Sequence, residues 1–205
     1  EILVVDDGSK DRSVEVIEEF KNKNLNLNIK IFRNQKNKGL GFSYYATAYK
    51  ASGKYYMLVN GDGVDPSSEI KKIISNLGKA DMILPYFTVD KRNFARRTLS
   101  KIFVIILNLI TFNNLKYYNG QALHLVENIR LYGTGVAGFG YQAELITTLI
   151  IKKKTYIEVK IEPDFRLHGT TSAFTLNNIF SVSRSIMVIF YNQITYLIKK
   201  ILRIN

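Results

Sequence analysis

The chain has 205 residues, 46% hydrophobic and 22% charged, a globular balance at a length that suits one domain or one domain with an appendage. The absence of cysteine removes disulfides, thiolate zinc sites and cysteine nucleophiles, and two histidines, His124 and His168, are too few for a histidine-rich metal site. Its 29 basic and 17 acidic side chains leave a net charge of +12, and eleven of those charges fall in two acid-free segments, 91–126 and 165–205.

In chain order, Glu1 runs straight into the apolar stretch Ile2–Val5, a buried strand ended by Asp6-Asp7-Gly8-Ser9. That abrupt start predicts a fragment whose first element precedes Glu1. Asp11 is placed to cap a helix with Val14, Ile17 and Phe20 on one face. A second strand is expected at Asn28–Phe32. A Gly39/Gly41 turn then opens a helix that ends before Gly53. Tyr55–Val59 reads as a third strand, broken by Asn60-Gly61-Asp62-Gly63. Asp65-Pro66 starts a further helix to about Leu77, and Asp81–Phe87 is a fourth strand. Strand–helix repeats this tightly connected predict an α/β fold with a mostly parallel sheet flanked by helices.

The second half is less regular. Thr98–Phe112 reads as an apolar helix, Lys116–Val126 as extended, Tyr141–Ile151 as a helix and Thr155–Ile161 as a strand. Leu176–Leu202 reads as a long, basic, apolar helix. The longest apolar stretches, Ile102–Phe112 and Ile186–Ile198, fall short of the ~18 residues of a spanning helix and contain Asn or Gln.

Ligands of such sheets bind beyond the carboxyl ends of the strands, where both acidic turns lie. Asp6, Asp7 and Ser9 offer two carboxylates and a hydroxyl to a nucleoside, although the same residues suit an ordinary strand-to-helix turn. Asp62 offers a hard oxygen ligand for Mg²⁺ or Mn²⁺ against a diphosphate, and again a plain Gly turn accounts for the motif. Asn37-Lys38-Gly39-Leu40-Gly41 has the look of a phosphate loop without the spacing of either standard motif. Arg96, Arg97 and Arg166 carry planar forks that match phosphate. Glu144 is a lone carboxylate in an apolar helix start, a candidate general base or a first-turn Glu favoured by the helix dipole. His124 and His168 have no acidic neighbour in sequence and read as structural.

Together these features resemble the family 2 glycosyltransferases of the GT-A fold. Glu1–Asp11 looks like that family's second strand and nucleotide-binding turn, and Asn60-Gly61-Asp62 lies where the family carries its Asp-x-Asp metal motif. Arg96-Arg97-Thr98-Leu99-Ser100, Tyr118-Asn119-Gly120, Gly140–Glu144, Glu158–Ile161 and Arg166-x-x-Gly169 resemble the branch of polyprenyl-phosphate sugar synthases. Three departures stand out. The first strand is missing, Asn60 replaces the first Asp of the metal motif, and Ser172 or Ala173 stands where a Lys often follows.

The resemblance implies an inverting transfer from a nucleoside-diphosphate sugar to a polyprenyl phosphate or cell-envelope glycan. Asp62, Glu144 and Arg166 are the expected catalytic residues, with Asp62 as the ligand of Mg²⁺ or Mn²⁺. Asp6, Asp7, Ser9, Gly39, Asp62 and Arg166 would hold the donor; Arg96, Arg97 and Ser100 would hold phosphate or acceptor. Residues 1–175 form the expected catalytic domain and 176–205 a membrane-interfacial helix. The acid-free apolar segments predict a peripheral protein on the anionic, cytoplasmic face of a membrane. Two other readings remain: a catalytically weak nucleotide-sugar-binding protein of the same fold, and a basic nucleic-acid-binding domain. The second lacks any nucleic-acid motif, and its tyrosines are not interleaved with the basic segments as a stacking platform requires.

Overall fold

The computed structural model describes residues 1–133, 135–162, 164 and 176–203. Its elements in chain order are β1 (Ile2–Asp6), α1 (Ser13–Lys23), β2 (Ile29–Arg33), α2 (Leu40–Ala48), β3 (Tyr55–Met57), α3 (Ser67–Ile74) and β4 (Met82–Tyr86), then α4 (Phe94–Thr111), β5 (Leu123–Leu125), α5 (Val126–Tyr132), α6 (Tyr141–Ile151), β6 (Tyr156–Lys160) and α7 (Leu176–Leu202). The elements expected in the first half are present. Their ends shift where caps differ. Arg12, not Asp11, stands at the N-cap of α1, while the Asp11 carboxylate accepts from Ser13 N and Oγ at 3.1 and 2.6 Å. Of the expected core face of α1, Val14 is buried but Phe20 is exposed. Pro66 sits at the N-cap of α3, one position earlier in the helix than expected.

Two sheets carry the fold. β1 and β2 pair in parallel, and a four-stranded sheet has the order β3-β5-β4-β6. β4 and β6 are parallel, but β5 runs antiparallel to both β3 and β4, so the sheet is less uniformly parallel than the sequence suggests. The cause is the return from α4. Asn108 clasps Leu115, accepting from its N at 3.1 Å and donating to its O at 2.9 Å, so the chain folds back against the helix it has just left. Gly120 then lies directly against Pro85 O, and Lys116 stacks on the Tyr86 ring. The chain therefore enters β5 at the carboxyl end of β4 and must run the other way. β5 occupies only Leu123–Leu125 of the segment 116–126 expected to be extended, and α5 follows it without a break from Val126.

The sheets meet at their amino ends. The Glu1 carboxylate accepts from Ser52 N and Gly53 N at 2.5 and 3.2 Å, placing the start of β1 beside the turn into β3. The main core joins α2, α4, α6 and α7 around Tyr44, Leu107, Leu145 and Ile189. α7 packs closely on the entry to α6, because Gly138 and Gly140 leave no room for a Cβ beside Ser181 and Ser185. Burial of these apolar faces, at ~25 cal/mol per Å², supplies most of what orders the helices. Among the described residues, no helix is long and apolar enough to cross a membrane.

Candidate active site

The carboxyl end of β1 and the entrance to α2 are locked together by one side chain. Asp7 accepts from Asn34 Nδ2 and Lys38 N through Oδ1, at 2.7 and 3.0 Å, and from Gly39 N through Oδ2 at 2.8 Å. Partial burial works against its charge, but these donors win and hold its carboxyl below the usual aspartate range. Asp6 is buried, accepts from Ser9 N at 3.0 Å and lies 3.5 Å from Arg33 Nε. Asp6, Asp7, Ser9 and Gly39 are therefore brought into one cradle. The Asp7 carboxylate is engaged in building that cradle and the Asp6 side chain is enclosed beneath it, which leaves backbone and Ser9 to face a ligand.

Gly39 has φ 94° and ψ 154°, a region that glycine alone occupies comfortably, and an added Cβ would lie 2.6 Å from Ala137 O. Gly41 N donates to that same carbonyl at 2.8 Å. The cradle is thus backed by the segment leading into α6. Gly39→Ala is expected to cost about 2 kcal/mol or more of stability and to weaken donor binding, because the strain and the clash fall on one atom. Urea unfolding with a parallel nucleotide titration checks this; an unchanged midpoint would contradict the strained geometry.

Asp62 lies in the loop after β3, exposed, with Oδ1 accepting from Val64 N at 3.3 Å. Asn60 N donates to Asp65 Oδ2 at 2.9 Å, which closes the loop from the other side. Asp164 N donates to Val64 O at 3.0 Å, so the chain beyond β6 returns to the Asp62 loop. Arg166, expected to act there, lies outside the described residues, as do His168, Gly169, Ser172 and Ala173.

Beyond the carboxyl end of β4 sits an arginine cluster only half visible in the sequence. Arg96, Arg97 and Ser100 lie in the first turns of α4, which holds no acid there. Cations at a helix N-terminus oppose the helix dipole, so the sequence accepts an electrostatic cost at this place. Arg92, which sequence reasoning missed, grips Asp90 with two bonds, Nε to Oδ1 at 2.8 Å and Nη2 to Oδ2 at 2.6 Å, and lies over the Phe87 ring. Burial works against the Arg92 charge, and Asp90 outweighs it. Arg96 is pushed down from its ordinary value, first by burial and then by the charge of Arg92. Arg97 Nη1 reaches Asp90 O at 3.4 Å. The Asp90-x-Arg92 spacing was the available signal, and it carries no meaning until the loop is folded.

Glu144 is placed apart. It lies in the first turn of α6 as expected but is only 1% exposed, so an acceptor hydroxyl has no direct approach to it. His124 is structural as expected: it is fully buried in β5, with Nε2 at 3.2 Å from Gln142 Oε1.

Among the described residues, no group of three or more His, Cys, Asp or Glu side chains could hold a metal ion alone. The donor set fits a cation of another kind. Mg²⁺ commonly takes one or two carboxylates and completes its shell with substrate phosphate and water. Exposed Asp62 at the carboxyl edge suits that role for a cation that arrives with a diphosphate.

Residues 1–138 match the family described as Glycosyl transferase family 2. A dolichyl-phosphate beta-glucosyltransferase of Dictyostelium discoideum is 25% identical over 128 residues, 57% of this chain and 39% of the relative. A cholesterol galactosyltransferase of Borreliella burgdorferi is 40% identical over 81 residues, 40% of this chain and 22% of the relative. The chain thus spans well under half the length of both curated relatives. Among solved structures, a glucosyl-3-phosphoglycerate synthase from Mycobacterium tuberculosis, in complex with Mn²⁺, UDP and phosphoglyceric acid, superposes with a TM-score of 0.67 at 12% identity, covering 94% of this chain and 67% of that one. The fold is the GT-A fold, and the chain belongs to glycosyl transferase family 2.

Proposed function

We propose that this protein is an inverting glycosyltransferase that moves a sugar from a nucleoside-diphosphate sugar to a lipid phosphate at the cytoplasmic face of an anionic membrane. The observation that carries the reading is the grouping of an anion-seeking arginine cluster with a diphosphate-type acidic loop at the carboxyl ends of β3 and β4. Both curated relatives are named for lipid acceptors, one a dolichyl phosphate and the other a sterol. The burial of Glu144 favours the phosphate over the sterol as acceptor. A sterol hydroxyl needs a base at hydrogen-bond distance, whereas a phosphate is already an anion and does not.

In this mechanism the cradle of Asp6, Ser9 and Gly39 orients the nucleoside. Asp62 faces the diphosphate. A bound Mg²⁺ or Mn²⁺ would supply charge neutralisation at the leaving group. Arg96 and Arg97, stiffened by the Asp90–Arg92 fork, hold the acceptor phosphate in line with the anomeric carbon. Arg166 adds positive charge where it develops on the leaving diphosphate. An acceptor oxygen then attacks as the nucleoside diphosphate departs, and configuration inverts.

The test uses the full-length protein with UDP- and GDP-sugars, Mn²⁺, and a short-chain polyprenyl phosphate, its dephosphorylated alcohol, or a sterol. Transfer to the phosphate alone is expected. Combined Arg96→Ala and Arg97→Ala should raise the acceptor KM by about ten- to a hundredfold, with a smaller effect on kcat. Transfer to the sterol, or donor binding without transfer or hydrolysis, would overturn the reading. The second outcome would favour a binding protein, the alternative suggested by Asn60 in the metal loop.

A further inference from the structure

α4 and α7 are each apolar on two opposite faces. On α4, Leu107 is 0% exposed and packs into the core beside Phe103 and Val104. On the other side, Ile102, Ile105, Leu109 and Phe112 follow one another at three- and four-residue steps and are 46%, 57%, 70% and 77% exposed. α7 repeats the arrangement. Ser185, Ile189 and Gln193 face the core, while Met187, Tyr191, Ile194 and Ile198 form an exposed stripe at the same steps. A helix on a water-facing surface carries a polar outer face, and neither of these does. The two helices also pack on one another, with Gln193 Nε2 donating to Thr111 O.

Charge selects the occupant. α4 carries Arg96, Arg97 and Lys101, and α7 carries Arg184, Lys199 and Lys200, with no acid on either helix. A second copy docked on this face would meet a like-charged surface with no carboxylate to pair. An anionic lipid surface meets both the apolar stripes and the cations that flank them.

The geometry points to a two-helix docking face, the outer stripes of α4 and α7, that lies in the headgroup region of an anionic bilayer without crossing it. The inference rests on the proposed use of a lipid acceptor and adds the surface and orientation that such use requires. α4 begins at the arginine cluster beyond β4, and its outer stripe runs on from there. A docked α4 therefore holds Arg96 and Arg97 at the depth of lipid phosphates, so the acceptor need not leave the membrane.

The test is sedimentation of the full chain with vesicles of phosphatidylcholine alone or mixed with phosphatidylglycerol, at low and high salt. The variants are Ile105→Glu/Leu109→Glu on α4 and Ile194→Glu/Ile198→Glu on α7. Wild type is expected to bind the anionic vesicles and to release as salt rises. Each double variant should lose at least about tenfold in partitioning, with helical circular dichroism unchanged. UDP titration of the same proteins keeps the two claims apart: retained nucleotide binding with lost vesicle binding isolates the docking face. Wild type that stays in the supernatant at low salt overturns the inference, as do double variants that bind vesicles like wild type. A discrete dimer in light scattering, broken by the same substitutions and indifferent to vesicles, overturns it in favour of a second copy.

Discussion

Replacing Asp62 with Asn is expected to lower sugar transfer by about two to three orders of magnitude while leaving the fold intact. Asp62 is exposed in the loop after β3, and the bond it accepts from Val64 N is of a kind an Asn side-chain oxygen can also accept. Asp65, the other carboxylate of the loop, is engaged with Asn60 N. In the proposed reading, the substitution removes a charge that faces the diphosphate and its cation. The clearest readout is UDP affinity measured with and without Mn²⁺. Wild type should gain affinity with the metal, and Asp62→Asn should lose that gain while keeping the metal-free affinity. The converse change, Asn60→Asp, adds a second carboxylate and should raise the metal-dependent increment. Equal Mn²⁺ dependence in wild type and Asp62→Asn would remove Asp62 from the site.

His124 is expected to make the protein acid-sensitive in a narrow window. It is fully buried in β5 between β3 and β4, and burial pulls its pKa from 6.5 down to about 4, opposed only partly by Gln142. The folded state thus keeps the ring neutral, while the unfolded chain takes up a proton as pH falls through 6.5. Stability is unaffected above about pH 7. It then falls by ~1.4 kcal/mol per pH unit toward pH 4, a total of about 3 kcal/mol, and this contribution levels off below that. Carboxylates with ordinary values titrate mostly below pH 5, so urea midpoints at pH 7, 6 and 5 report chiefly on His124. His124→Gln keeps a donor for Gln142 and cannot titrate. It should be less stable at pH 7 through imperfect packing, with a flatter profile between pH 7 and 5. A wild type already flat over that interval would contradict the buried neutral ring.

The acidic turns, the glycines and the strand starts were readable because each depends on local chemistry. Ile2–Val5 is a continuous apolar run closed by Asp-Asp-Gly-Ser, and the strand ends there. Gly39 stands where the backbone requires a glycine. The partners of these residues were not readable. Asp7 reads as a ligand-binding carboxylate, yet its charge holds three donors from β2 and the α2 entrance, separated from it by about thirty residues. Arg92 reads as one basic residue among six in its segment, and it acquires meaning only when the chain turns back to put Asp90 and Phe87 around it. Glu144 reads equally well as a general base or as a first-turn Glu favoured by the helix dipole, and only the folded chain shows it buried, in a helix whose entry packs against α7.

The direction of β5 shows the same division. Alternation and composition locate a strand near His124 but contain no term for its direction, which the Asn108–Leu115 clasp imposes from outside the strand. On α4 and α7 the sequence by itself determined that both helices are apolar around most of their circumference and free of acid. Periodicity cannot say which of two apolar faces is covered, because both satisfy the helical repeat equally. Only packing against α6 and the core decided that, by burying Leu107 and Ile189 and leaving Leu109 and Ile198 outside. Local propensity and turn chemistry act within a few residues and survive in the sequence. Burial, charge pairing and strand direction depend on residues far apart in the chain, and the tertiary structure alone brings them together.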